Sequence, residues 1–203
     1  MEYRIKSFLK QYTLYLVIGI VIIITTFLEP LSSEWLMFDR AAIENNGEWW
    51  RLVTCHLVHL SDVHSFNNLL GLALFAYIAG PYLNNWLGVA LFVWCVLWVG
   101  FGLYWYADYL TYYVGLSGVQ HGLLLVAPFV SQYYKRWVAY GFAAILIGKT
   151  IWEQTPWYND MALADTIGGR VETNAHLFGT IAGLTFLAGY FVYRKYFALE
   201  SNK

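Results

Sequence analysis

The chain has 203 residues, of which 59% are hydrophobic, 20% aromatic and only 12% charged, with a formal net charge of −1. Soluble domains carry roughly 25% charged residues, and a core of this size cannot bury so much apolar surface. The composition therefore excludes an ordinary soluble domain and points to one polytopic membrane domain over residues 1–203, without a linker. The charge balance gives no sign of a nucleic-acid partner, and the two cysteines, Cys55 and Cys95, make neither a disulfide framework nor a metal spacing.

Residues 1–11 are polar and basic, with Arg4, Lys6 and Lys10. A first span is expected over 12–28. It lacks a small-residue cleavage site, so it reads as a span that stays rather than a cleaved signal. Glu29-Pro30 stops it. A loop over 29–55 follows, rich in acids and tryptophan, and its Trp49-Trp50 pair suits the headgroup layer. Span 2 is expected over 64–83, span 3 over 86–106, span 4 over 116–130 after a tyrosine-rich approach, and span 5 over 137–152. A polar loop over 153–173 precedes span 6 over 174–193. Six spans put both termini on one side. With a cytoplasmic N-terminus, the inside segments hold Arg4, Lys6, Lys10, Lys135, Arg136, Arg194, Lys195 and Lys203, eight of the 12 basic residues. Of the 13 acids, only Glu2 and Glu200 fall inside. This distribution meets the positive-inside rule. The outer face then gathers the first loop and the outer ends of spans 2, 4 and 6.

Span 4 opens with Gly115-Leu116-Ser117-Gly118 and is short. Ser117 to Ser131 makes roughly 22 Å of helix against a hydrocarbon core of about 30 Å, which leaves Ser117 some 8 Å below the outer surface. Irregular backbone at that depth must line protein or a wet cavity. Serine is also common interhelical glue in membrane helices, so Ser117 by itself marks no site. Gly118 and Gly122 form a small-residue face, matched in span 6 by Ala175, Gly179 and Gly183. If these faces meet, His176 comes against Ser117 as a nucleophile–base pair. His64 and Asn68, at i and i+4, share a face of span 2 and supply donors for an oxyanion beside the Ser117 N–H; a span-to-span hydrogen bond is the plainer reading. His59 reads as a structural hydrogen bond to the first loop. Arg51 reads as an anchor to headgroups or loop carbonyls. His121, one turn after Ser117, leans toward it, so the residues alone leave His121 and His176 both open as the base. No acid is evident to orient His176, which makes a Ser–His dyad, with packing by His121 filling the third role.

These residues resemble the rhomboid intramembrane serine proteases. Trp50-Arg51, His59-x4-His64-x3-Asn68, Gly115-x-Ser117-Gly118 and Ala175-His176-x2-Gly179-x3-Gly183 occur in the family's order and cover most of the chain. The resemblance implies an all-α, six-helix membrane bundle with a short central span 4, a Ser117 nucleophile and a base in span 6, hence His176. Within the family the chain is most similar to the rhombosortase branch, compact enzymes with a histidine four residues after the nucleophile, here His121. That branch implies substrates that are exported bacterial proteins bearing a C-terminal Gly-Gly motif, a transmembrane helix and a basic tail, cleaved to free them from the anchor. It also implies the bacterial inner membrane, a site open to the periplasmic side, and membrane lipid as surroundings. No metal or organic cofactor is implied. Two rival classes are a non-catalytic rhomboid-like binding protein, disfavoured because serine and histidine are both present, and a haem or metal protein using His121 and His176 or the group His56, His59, His64. The 153–173 loop, with Gly168-Gly169 as a flexible point, is expected to act as a cap that moves to admit substrate.

Overall fold

The computed structural model describes residues 2–196. Glu200 and Lys203, used in the charge argument, lie outside the described residues, as do the side chains of Glu2, Arg4, Lys6 and Lys10. The first helix, α1 (Glu2–Phe27), kinks at Tyr12, whose φ of −123° and ψ of 15° leave the helical region. Its apolar part is Gln11–Phe27. Val17, Ile20, Ile23 and Ile24 on this part remain exposed while Ile18 and Ile22 are buried, so one face is left for lipid.

The first loop is built rather than irregular. It holds α2 (Leu31–Leu36), β1 (Phe38–Asp39), α3 (Arg40–Asn46) and α4 (Arg51–Thr54). Asp39 caps α3 by accepting from the Ala42 N–H, and Gly47 closes it with φ of 72°. Ser61 caps α5 (Asp62–Ala79), accepting from the His64 N–H. A 3-10 turn over Gly80–Leu83 leads to Asn85, which caps α6 (Trp86–Tyr106) by accepting from Leu87 and Gly88. Arg40 reaches across to the far end of α6 and donates to the carbonyls of Leu103, Tyr104 and Ala107. The Leu103 and Ala107 carbonyls also accept from the Ala107 and Leu110 N–H groups, while the Tyr104 carbonyl is one that the helix C-terminus leaves for a side chain.

After β2 (Tyr112–Tyr113) come α7 (Ser117–Val130), α8 (Arg136–Glu153), α9 (Ala164–Ile167) and α10 (Thr173–Tyr196). The two short strands pair antiparallel, Phe38 opposite Tyr113 and Asp39 opposite Tyr112, and tie the first loop to the approach to α7. None of the 14 residues of α7 is exposed, so it is the central element and the other helices wall it in.

Among the described residues, three stretches are long and apolar enough to cross a membrane: Asp62–Leu83, Trp86–Tyr106 and Thr173–Tyr196. Six spans were expected. The difference lies in α7 and the apolar part of α1, which are shorter apolar helices, and in α8, whose 18 residues carry Arg136, Lys149 and Glu153. Together with the exposed apolar faces, these helices make the chain an integral membrane protein.

Candidate active site

The backbone before Ser117 is held from three directions. The Gly115 N–H donates to the Cys55 carbonyl at 3.0 Å. The Gly115 carbonyl accepts from the Tyr113 hydroxyl at 2.9 Å and faces His56 Nδ1 at 3.4 Å. Gly115 has φ of 121°, which only glycine adopts without strain, and a Cβ there would meet the His64 ring at 2.9 Å. The turn therefore delivers Ser117 to the first position of α7. First-turn N–H groups have no intrahelical acceptor, and the Leu116 side chain offers no cap.

The small-residue faces of α7 and α10 meet. A Cβ on Gly118 would lie 2.7 Å from the Ala175 carbonyl oxygen, and one on Gly122 would lie 2.6 Å from that of Gly179. A Cβ on Gly179 would overlap the Gly118 carbonyl oxygen, and Gly183 packs on Gly122 and Leu125. Only bare backbone allows this approach. It brings His176 Nε2 to 3.0 Å from Ser117 Oγ.

His176 has a second partner that the sequence reading did not provide. Its Nδ1 lies 2.9 Å from Glu153 Oε2 on α8. An ionised carboxylate only accepts, so Nδ1 carries the proton and Nε2 presents its lone pair to Ser117. The side chain of Glu153 is 2% exposed, and its other oxygen pairs with Lys149 one turn earlier. The absence of an orienting acid is thus corrected. The sequence places Glu153 first in a polar loop, but α8 continues through it and turns its carboxylate inward. The missed signal was Lys149 and Glu153 at i, i+4 inside an apolar helix, since ionisable residues within a span demand a partner and a reason.

His121 is adjacent to both but bonds elsewhere. Its Nδ1 is 2.8 Å from the Ser117 backbone carbonyl, so that nitrogen is the donor. Its Nε2 then accepts from the Lys149 ammonium at 3.1 Å. The ring stacks on His176 with centroids 4.1 Å apart and 19° between planes. Both nitrogens are engaged away from Ser117 Oγ, which His176 Nε2 approaches.

The opposite flank of α7 faces α5. His64 Nδ1 accepts from the Leu60 N–H at 3.3 Å, which places the His64 proton on Nε2, the nitrogen beside Gly115. Asn68 donates to the His64 carbonyl at 3.0 Å, and its Oδ1 is buried without a partner. Gln120 donates to the Asn68 carbonyl, with Gly71 leaving room for its side chain. Gln120 was not singled out from the sequence. A polar residue in the middle of an apolar run was its only mark.

His59 departs from expectation. Neither of its ring nitrogens has a hydrogen-bond partner; the ring packs edge-on against His64, with centroids 5.0 Å apart and planes at 87°. Burial, with His64 and His56 nearby, pushes its pKa down to about 3. It is a neutral aromatic spacer, because in that buried pocket no first-loop acceptor comes within reach. Arg51 is 5% exposed and takes the loop-carbonyl alternative. It donates to the Met37 and Glu34 carbonyls and pairs with Glu48 at 2.6 Å, which locks the first loop.

Ser117, His176, His64, Asn68, Gln120, Lys149 and Glu153 border one cavity of about 470 Å³. The segment between α8 and α10 lies over it. Ser61 Oγ donates to the Ile167 carbonyl at 2.8 Å, and Tyr109 donates to Glu172 at 2.8 Å. His121, Glu153 and His176 present ligand atoms within 4.8 Å of one another, close enough to suggest a metal centre. The rings argue against it. Stacked imidazoles direct their lone pairs in parallel planes, so an ion at about 2.0–2.1 Å from both nitrogens would sit far out of each ring plane. The Lys149 ammonium already bridges His121 and Glu153. The arrangement suits proton transfer between a serine and a histidine, beside donors for a developing oxyanion.

A rhomboid domain family model matches residues 46–194. A protein of Bacillus subtilis (strain 168) named "Putative rhomboid protease YdcA" is 30% identical over 150 residues, covering 70% of this chain and 68% of that protein.

Proposed function

The chain belongs to the rhomboid family, and from that premise we propose that it is an intramembrane serine endopeptidase. The observation that carries the reading is the 3.0 Å approach of His176 Nε2 to Ser117 Oγ inside a polar cavity of a membrane bundle. Ser117 attacks a substrate carbonyl while His176 takes its proton. His176 returns that proton to the leaving amine, and water clears the acyl-enzyme by the reverse route. His64 Nε2–H, an Asn68 amide N–H and the Ser117 backbone N–H hold the oxyanion. Removal of one such donor typically costs about 100- to 1,000-fold in rate.

The membrane arrangement follows the charges. We read six spans, with the apolar part of α1, α7 and α8 added to the three long stretches, in a bacterial inner membrane with both termini cytoplasmic. The 14 residues of α7 make roughly 21 Å of helix against a core of about 30 Å. The cavity is then recessed on the periplasmic side, and the segment over 154–172 caps it. His121, four residues after Ser117 and stacked on the base, supports the rhombosortase branch. Its substrates would be exported proteins held by a C-terminal Gly-Gly motif and transmembrane helix. Glycines favour cleavage there because each costs a helix about 1 kcal/mol and eases unwinding toward the nucleophile.

The test is cleavage of a Gly-Gly-anchored substrate by the purified full chain. Ser117→Ala and His176→Ala abolish it, while His121→Ala reduces it. Cleavage that survives Ser117→Ala overturns the mechanism. Cleavage of an anchored substrate whose glycines are replaced by leucine, at an undiminished rate, overturns the branch assignment alone.

A further inference from the structure

We infer that this protease runs on a Ser117–His176–Glu153 relay, with Lys149 as the counter-charge that sets how readily His176 accepts the serine proton. The inference rests on the serine-protease reading and deepens it. Glu153 and Lys149 touch no reacting atom. They are positioning residues, acting through His176 and His121.

The geometry is specific at each link. The Glu153 carboxylate divides its two oxygens, Oε2 to His176 Nδ1 at 2.9 Å and Oε1 to the Lys149 ammonium. The first bond fixes the His176 tautomer with Nε2 free to accept from Ser117. The ammonium also donates to His121 Nε2 at 3.1 Å, which leaves His121 Nδ1–H on the Ser117 carbonyl. One lysine therefore fixes both the acid behind the base and the ring stacked upon it. The proton moves from Ser117 Oγ to His176 Nε2 and on to the leaving amine. The Nδ1 proton stays on His176, and Glu153 stays ionised throughout.

Charge accounting explains why both residues are present. A lone carboxylate with a side chain 2% exposed inside a membrane bundle is costly, and a lysine one helical turn away neutralises it. At rest, Lys149 and Glu153 cancel. When His176 gains the serine proton the carboxylate stabilises the imidazolium, and the ammonium limits that stabilisation. The pair therefore works as a graded bias on the base. The groups facing His176 from the surrounding elements are His64 on α5, His121 on α7, and Lys149 and Glu153 on α8. Glu172, just before α10, pairs with Tyr109 of the segment after α6 at 2.8 Å and with Arg170 at 3.1 Å, and Cys95 of α6 packs against Gly122 further down. Among the described residues, only Lys149 and Glu153 bring opposite full charges onto one bonded network with the base.

The two substitutions must then act in opposite senses. Labelling of Ser117 by a fluorophosphonate requires neutral His176, so its rate falls on the acidic side. Glu153→Gln removes the anion that favours the imidazolium, and the acidic limb moves to lower pH. Lys149→Met removes the opposing cation, and the limb moves to higher pH. An opposite charge at this range changes such a titration by about one pH unit or more. In Glu153→Gln the plateau rate also falls, on the order of 100-fold, as the tautomer loses its anchor.

The experiment measures labelling rate against pH for the full chain in nanodiscs, with Ser117→Ala, Glu153→Gln, Glu153→Asp, Lys149→Met, Lys149→Arg and the Glu153→Gln/Lys149→Met pair. Expected are opposite displacements for the two single variants, a limb near the wild-type position for the pair, and retention of the limb in Lys149→Arg and Glu153→Asp. A lowered plateau with an undisplaced limb, or displacement of both single variants in one direction, overturns the relay. If Glu153→Gln does not fold, Lys149→Met and Lys149→Arg still decide it, since an unmoved limb in Lys149→Met overturns the counter-charge. Labelling that persists in Ser117→Ala instead defeats the serine-protease reading itself. Loss of label in Ser117→Ala, with Glu153→Gln indistinguishable from wild type, defeats only the relay.

Discussion

The two flanks of α7 are built from different physics. Toward α5 the site is neutral: His64 takes its proton position from the Leu60 N–H, Asn68 bonds back to its own helix, and Gln120 ties α7 to the Asn68 carbonyl. Toward α8 and α10 it is ionic: Lys149, Glu153 and His176 form one bonded chain with His121 stacked against it. Fixed dipoles suit an oxyanion that appears and vanishes, because they need no reorganisation. A base that gains and loses a proton needs a balancing charge. Ser117 lies on the seam, and under the proposed mechanism each flank should fail in its own way when altered.

The sharpest break of this division is Ser117→Ala, which removes the group both flanks serve. Labelling and cleavage should fall to background, with the melting temperature preserved. Next is Gly179→Val, whose side chain would overlap the Gly118 carbonyl. Overpacking of that kind costs about 1–3 kcal/mol or more, so α10 parts from α7. Activity should disappear together with a lowered melting temperature, which Ser117→Ala does not show. Asn68→Ala probes the neutral flank. A loss of about 100- to 1,000-fold in cleavage rate, with the acidic limb of the pH profile unmoved, is expected. A moved limb there would mean that the flanks are not separable. The smallest effect belongs to His59→Phe, which keeps an aromatic ring against His64 and should change activity less than tenfold.

That last variant has a signed effect on stability. Burial lowers the His59 pKa from 6.5 to about 3, so between these values the unfolded chain binds a proton that the folded chain refuses. The stability tied to this neutral ring is complete above pH 6.5 and is lost as pH falls toward 3. Melting temperature measured across that range should decline less steeply in His59→Phe than in the wild type.

Ser117, His176 and the glycines were legible because each is a residue type whose helical spacing carries its meaning. Two small faces at i, i+4 dictate a close crossing, and the crossing dictates what meets at its end. Lys149 and Glu153 were not legible in the same way. Polarity at a helix end reads as loop, and only the fold shows that α8 continues through Glu153 and faces inward. Gln120 and Arg40 were hidden for a related reason, since their partners are backbone carbonyls, which leave no mark in sequence. His59 misled because a histidine near a loop suggests hydrogen bonds, whereas its surroundings are other rings.

The burial of α7 also orders the protein's biogenesis. Chains are made from the N-terminus onward, and α10 is the final helix described. Until it docks, the glycine face of α7 has no cover and Ser117 has no base. Under the proposed mechanism, a chain in which α10 has not yet docked holds Ser117 without its partner His176 and is inert.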